Sequence, residues 1–111
     1  MKIKDIPSYF EVCGIPHRVI FEDHDHTDNK SGLYNPASAT ITLYRYSYGR
    51  KLTEEVMYNT FLHELVHCVF DAVEEFSLSN NEQLVQNMAN VLNTIITTVK
   101  YERDEDTSHQ D

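Results

Sequence analysis

A chain of 111 residues with 9 Lys and Arg against 18 Asp and Glu carries a formal charge of −9, which argues against non-specific binding to nucleic acid or to an anionic membrane surface. That length builds one hydrophobic core and leaves nothing for a second lobe to wall a deep cleft. Cys13 and Cys68 lie too far apart in sequence to suggest a disulfide framework, and neither a signal peptide nor an apolar run of membrane-spanning length stands out, so a cytoplasmic protein with a protein or peptide partner is expected.

The N-terminal half reads as strands, with β-branched and aromatic residues in short runs broken by Gly, Pro and Asn. Residues 9–12, 17–21 and 39–46 are the expected strands. Gly14-Ile15-Pro16 would turn the first pair, and Asn35-Pro36-Ala37-Ser38 would open a hairpin into the third. Alternation there puts Ile41 and Leu43 on one face and Thr40, Thr42 and Tyr44 on the other. Between strands, Glu22-Asp23-His24-Asp25-His26-Thr27-Asp28 is dense in metal-ligand types. It lacks the Gly-punctuated calcium-loop pattern, so a solvated acidic loop is expected, with a weak second metal site as the alternative. Tyr44, Tyr46 and Tyr48 would project from one side of an extended run, and none of them can be singled out as an oxyanion donor.

A helix is expected over about 53–75. Thr53 is a suitable N-cap with Glu54 and Glu55 in the first turn. Val56, Met57, Leu62, Leu65, Val66, Val69, Phe70 and Val73 recur at helical spacing. Within it stands His63-Glu64-Leu65-Val66-His67. Residues four apart share a helix face, so two imidazoles can reach one ion at roughly 2.0–2.1 Å. Glu64 lies beside the remaining coordination position, suited to take a proton from a water that the ion acidifies. With six His in the chain, the bare pattern arises by chance about three times in a hundred, so the helical context carries the weight. Cys68 follows His67 by about 100° of helix turn and reads as a core residue.

A catalytic zinc needs a third protein ligand. Asp71, one turn beyond His67, points along the axis and better suits orienting an imidazole. Glu74 and Glu75 read as the exposed helix end, and His109 as part of a polar tail. Glu82 is the best candidate. After the turn Phe76-Ser77-Leu78-Ser79-Asn80-Asn81, a second helix over about 80–100 carries Leu84, Val85, Met88, Ala89, Leu92, Ile95, Ile96 and Val99. Packed antiparallel to the first, it would return a carboxylate from its first turn to the motif. The alternative is a capping box, Ser79-Asn80-Asn81-Glu82, in which Glu82 only bonds the backbone.

Thr60-Phe61-Leu62-His63-Glu64-Leu65-Val66-His67, followed by Glu82-x-x-Val85-x-x-Met88-Ala89-x-x-Leu92, resembles the minimal gluzincin-type metallopeptidase core of small phage-encoded and mobile-element proteins, including those similar to ImmA/IrrE. The match covers roughly residues 40 to 93, and the fifteen residues from His67 to Glu82 are short for that family. The resemblance implies His63, His67 and Glu82 as Zn²⁺ ligands, Glu64 as catalytic base, and an edge strand, here residues 39–46, that pairs with extended peptide. It also suggests a phage or prophage setting. The expected fold is α+β and zincin-like, a small antiparallel or mixed sheet of about three strands on two main helices. One domain over 1–101 and a disordered acidic tail over 102–111 are expected. The expected function is zinc-dependent hydrolysis of a peptide bond in a protein substrate, with no nucleic-acid or membrane partner. The competing expectation is a zincin-shaped binding module with a structural metal that docks a host or phage protein.

Overall fold

A computed structural model of the chain describes residues 5–23 and 30–103. The His- and Asp-rich run beyond Asp23, and the tail beyond Arg103 with His109, lie outside the described residues. Along the chain come β1 (Tyr9–Val12), β2 (Ile15–Glu22), β3 (Gly32–Asn35), β4 (Thr40–Tyr44), β5 (Tyr46–Ser47), β6 (Arg50–Lys51), α1 (Glu54–Ala72), α2 (Phe76–Ser79) and α3 (Glu82–Thr98). The class is α+β, with one more strand in the main sheet than expected.

That sheet is mixed, in the order β1-β2-β4-β3: β1 and β3 run antiparallel to their neighbours, and β2 pairs with β4 in parallel. The β1–β2 turn falls on Cys13-Gly14, whose φ values of 51° and 79° give both central residues the positive φ of a twist-matched two-residue hairpin. Ile15 and Pro16, expected in the turn, already belong to β2.

The expectation that residues 39–46 form the exposed edge is corrected. β4 is an interior strand, bonded to β2 on one side and β3 on the other, with Ile41 and Leu43 fully buried. The edge beside the helices is β3. Its Gly-Leu-Tyr-Asn sequence has too few residues and too little apolar alternation to announce a strand. The extended run also breaks at Arg45, beyond which β5 and β6 form a separate ribbon closed by Tyr48-Gly49. Tyr44 is accordingly buried and Tyr48 exposed at a turn, so the three tyrosines share no face.

Thr53 caps α1 as expected, its side chain accepting from the Val56 N–H at 3.1 Å. The buried face comprises Met57, Tyr58, Phe61, Leu62, Val66 and Cys68, because α1 packs on β3 and β4 on one side and on α3 on the other. Val56, Val69 and Val73, part of the expected apolar stripe, lie exposed. Each large aliphatic side chain buried here contributes about 1.5–3 kcal/mol relative to exposure.

Three residues earlier than expected, α1 ends at Ala72. The Glu75 N–H bonds the Phe70 carbonyl and the Glu74 N–H bonds that of Asp71, at 2.9 and 3.1 Å, with Glu74 at φ 60°. This is the reversal by which helices end on a left-handed residue. The single-turn α2 occupies what reads in sequence as a plain turn. Asn81 then caps α3, accepting from the Leu84 N–H at 3.1 Å. The capping-box alternative is thereby set aside, because the cap is Asn81 and Glu82 is the first helical residue. Among the described residues, no helix is long and apolar enough to cross a membrane.

Candidate metal centre

α1 presents His63 and His67 one turn apart toward the start of α3, where Glu82 projects back between them. The Glu82 Oε2 lies 3.0 Å from His63 Nε2, and its Oε1 lies 3.1 Å from His67 Nε2. All three ligand atoms fall within 4.8 Å of one another. The structure thus brings together the three residues named from the sequence. The fifteen-residue separation suffices because the helical reversal and α2 fold tightly and the ligand is the first residue of the next helix.

The far nitrogens of both rings are already engaged. His63 donates from Nδ1–H to Gln86 Oε1 at 2.8 Å. Gln86 is itself locked by donating from Nε2 to Asn59 Oδ1 and Asn90 Oδ1, at 3.0 and 2.8 Å. His67 donates from Nδ1–H to Ser79 Oγ at 3.2 Å. A neutral imidazole has one N–H, so both Nε2 atoms are left as lone-pair acceptors aimed at a carboxylate that only accepts. Two acceptor–acceptor contacts at 3.0–3.1 Å are repulsive unless a cation sits among them or the rings carry extra protons. A tetrahedral ion with ligands at 2.0–2.1 Å would hold its ligand atoms about 3.3 Å apart, a spacing these side chains can reach from a cluster whose ligand atoms lie within 4.8 Å of one another. The donor set could hold a metal ion.

Glu64 lies on the inner side of the ligands and is only 8% exposed. Burial pushes its pKa above the usual carboxylate value, and the Glu82 charge adds to the shift. The two imidazoles and the Tyr34 backbone N–H act in the opposite direction. That N–H is available for a topological reason. The Ser31 carbonyl accepts from the Tyr44 N–H at 3.0 Å, so by ladder alternation Leu33 and Asn35 face β4, while Gly32 and Tyr34 turn their backbone groups to the open edge. Gly32 permits this close approach: a Cβ there would stand 2.6 Å from Thr60 Cγ2 and 3.4 Å from Glu64 Cγ.

Beyond Glu64 lies a polar relay that sequence reading missed. The Tyr34 hydroxyl contacts His17 Nε2 at 3.3 Å and the Cys68 thiol, and His17 donates from Nδ1–H to the Ile15 carbonyl at 2.9 Å. Burial, reinforced by Cys68 and Asp71, pushes the Tyr34 pKa up to about 12, keeping that hydroxyl protonated. His17 is itself buried, stacked between Phe10 and Tyr34. Asp71 faces Tyr34 and Cys68, so the role of orienting an imidazole passes from it to Gln86 and Ser79. Gln86 was detectable in principle, since it stands one turn after Glu82 on the same helical face. His17 and Tyr34 meet only through strand pairing and leave no local signal.

These groups line one cleft of about 1100 Å³ that runs from Gln86 and the ligand triad past Gly32 and Tyr34 to Val12 and Ile15. The cleft thus joins a buried carboxylate, a cluster that could hold an ion and the edge of a strand. Searches against protein-family models, curated proteins and solved structures found no match to this chain.

Proposed function

We propose that this chain is a zinc-dependent peptidase of zincin-like architecture, holding Zn²⁺ through His63, His67 and Glu82 and using Glu64 as general base. The observation that carries the reading is the convergence of two imidazole nitrogens and a carboxylate beside a buried second carboxylate. A nitrogen-rich His₂Glu set favours zinc over the hard, oxygen-bound cations. When bound, the ion supplies a Lewis acid that polarises a carbonyl and acidifies water. Glu64 takes the proton of the attacking water and returns it to the departing amine, a task helped by its burial-raised proton affinity. With the Tyr34 N–H taken by Glu64, the outward backbone groups of Gly32 and the Tyr34 carbonyl suit strand-like pairing with an extended substrate, so β3 takes the role the resemblance had placed on residues 39–46.

A second reading, a metal-stabilised module that docks a protein without cleaving it, is favoured by one observation. His17 and Tyr34, polar side chains on the cleft wall, are tied to each other and to Cys68. Zinc content and hydrolysis of a mixed peptide library, measured together, separate the readings. Wild type is expected to carry one zinc and cleave, Glu82→Ala to lose most of the zinc, and Glu64→Gln to keep the zinc and lose cleavage. Zinc retention with no cleavage in wild type leaves the docking module standing, and absence of zinc from supplemented wild type rejects both.

A further inference from the structure

The helix α3 has two apolar faces, and the fold uses only one. Val85 and Ala89 are fully buried, with Leu92 and Ile96 packed beside them against the core. A second row, Leu84, Met88, Val91 and Ile95, follows the four-three-four spacing of a coiled-coil seam. Its members Met88, Val91 and Ile95 are 37%, 60% and 55% exposed. The row borders a shallow apolar depression of about 240 Å³ lined by Asn87, Met88, Val91 and Leu92. Residues 83–99 include no Asp, Glu, Lys, Arg or His, in a chain of which 24% is charged. Exposed helix faces of monomers ordinarily carry charge, which keeps such surfaces apart.

We infer that this face is the contact of a homodimer in which α3 packs antiparallel against α3 of a second copy. Two features of the helix favour a second copy over another occupant. The four-three-four spacing reads the same in both directions, so a two-fold axis sets Leu84 against Ile95 of the other chain and Met88 against its Val91, making the patch self-complementary. The absence of charge also matters, because two chains of net charge −9 repel wherever their charged surfaces meet, and a neutral helix lets them approach. At 100° per residue, Gln86 lies about 140–200° around α3 from Val91 and Met88, so pairing on the seam leaves the cleft open. A single helix pair is at the low end of interface sizes, so association in roughly the 10–100 µM range is expected.

Sedimentation velocity on the full chain, from about 5 to about 500 µM, tests this. The wild type should shift from monomer to dimer, and the shift should move to lower concentration at high salt, where repulsion between the acidic bodies is screened. Val91→Asp should remain monomeric throughout with unchanged circular dichroism. Thr97→Asp, which adds the same charge to the same helix off the seam, should dimerise like wild type apart from a small salt-dependent weakening. A wild type that stays monomeric at the highest concentration overturns the inference, as does a Val91→Asp variant that dimerises as well as wild type.

Discussion

At Glu64 the fold holds a carboxylate where its charge is costly. Burial raises its pKa, so between the ordinary glutamate value and the raised one the folded chain binds more protons than the unfolded chain. Stability of the metal-free protein therefore falls as pH rises through that window, and the penalty is absent below it. Glu64→Gln should remove this slope and melt higher than wild type at neutral pH when both are chelator-treated. Equal melting temperatures across the pH series would show that the buried charge costs nothing. In the zinc-loaded protein the same substitution should cut hydrolysis by about 10²–10⁴-fold, the usual contribution of a positioned base. In the proposed zinc site Gln86 would act on the ion through His63. Its loss in Gln86→Ala should weaken zinc binding by about 10–100-fold, read by competition with a chromogenic chelator. Gln86→Glu, which still accepts from Nδ1–H, should retain most of the affinity, and a Gln86→Ala variant that binds as tightly as wild type would refute the orienting role.

The elements reach this geometry through two tight backbone features. The reversal after α1 depends on Glu74 at φ 60°, a conformation that costs a non-glycine residue about 1–2 kcal/mol. Glu74→Gly should recover about 1 kcal/mol, seen as a rise of several degrees in melting temperature. Gly32 shows the opposite sensitivity. A methyl group there meets Thr60 Cγ2 at 2.6 Å and the Thr42 carbonyl at 3.2 Å, so Gly32→Ala should cost about 1–3 kcal/mol and reduce activity with zinc content unchanged. The contrast explains what the sequence revealed and what it hid. His63, Glu64 and His67 were legible because helical period alone fixes their relation, and Glu82 because the second apolar repeat announced a helix that could return it. The place of β4 inside the sheet was not legible, since strand order depends on distant pairings, and neither was β3, four residues whose only periodicity is set by their neighbours. The contact of His17 with Tyr34 spans 17 residues and exists only once β2, β4 and β3 have assembled.

At the scale of the molecule, the candidate metal ligands belong to α1 and α3 alone, so an ion would tie the two helices without reaching the sheet. The core is built independently of them: Ile41, Leu43, Met57, Leu62, Val85 and Ala89 are all at most 2% exposed. A chain with such a core is expected to stay folded without zinc, unlike small metal-nucleated domains that unfold when stripped. Ligand linkage gives the size of the effect. Free zinc at about 100 times its dissociation constant stabilises by about 2.7 kcal/mol, on the order of 10–20 °C in melting temperature for a domain of this size. Chelation should therefore lower the melting temperature by that amount while leaving a cooperative transition. Loss of hydrogen-exchange protection should concentrate in α2 and the first turns of α3, which carry Ser79, Glu82 and Gln86, the residues that contact the two histidines. If chelation instead abolished the transition and stripped protection from β2 and β4 as well, the metal would be part of the folding nucleus of the whole domain, and the docking module with a structural ion would become the better account.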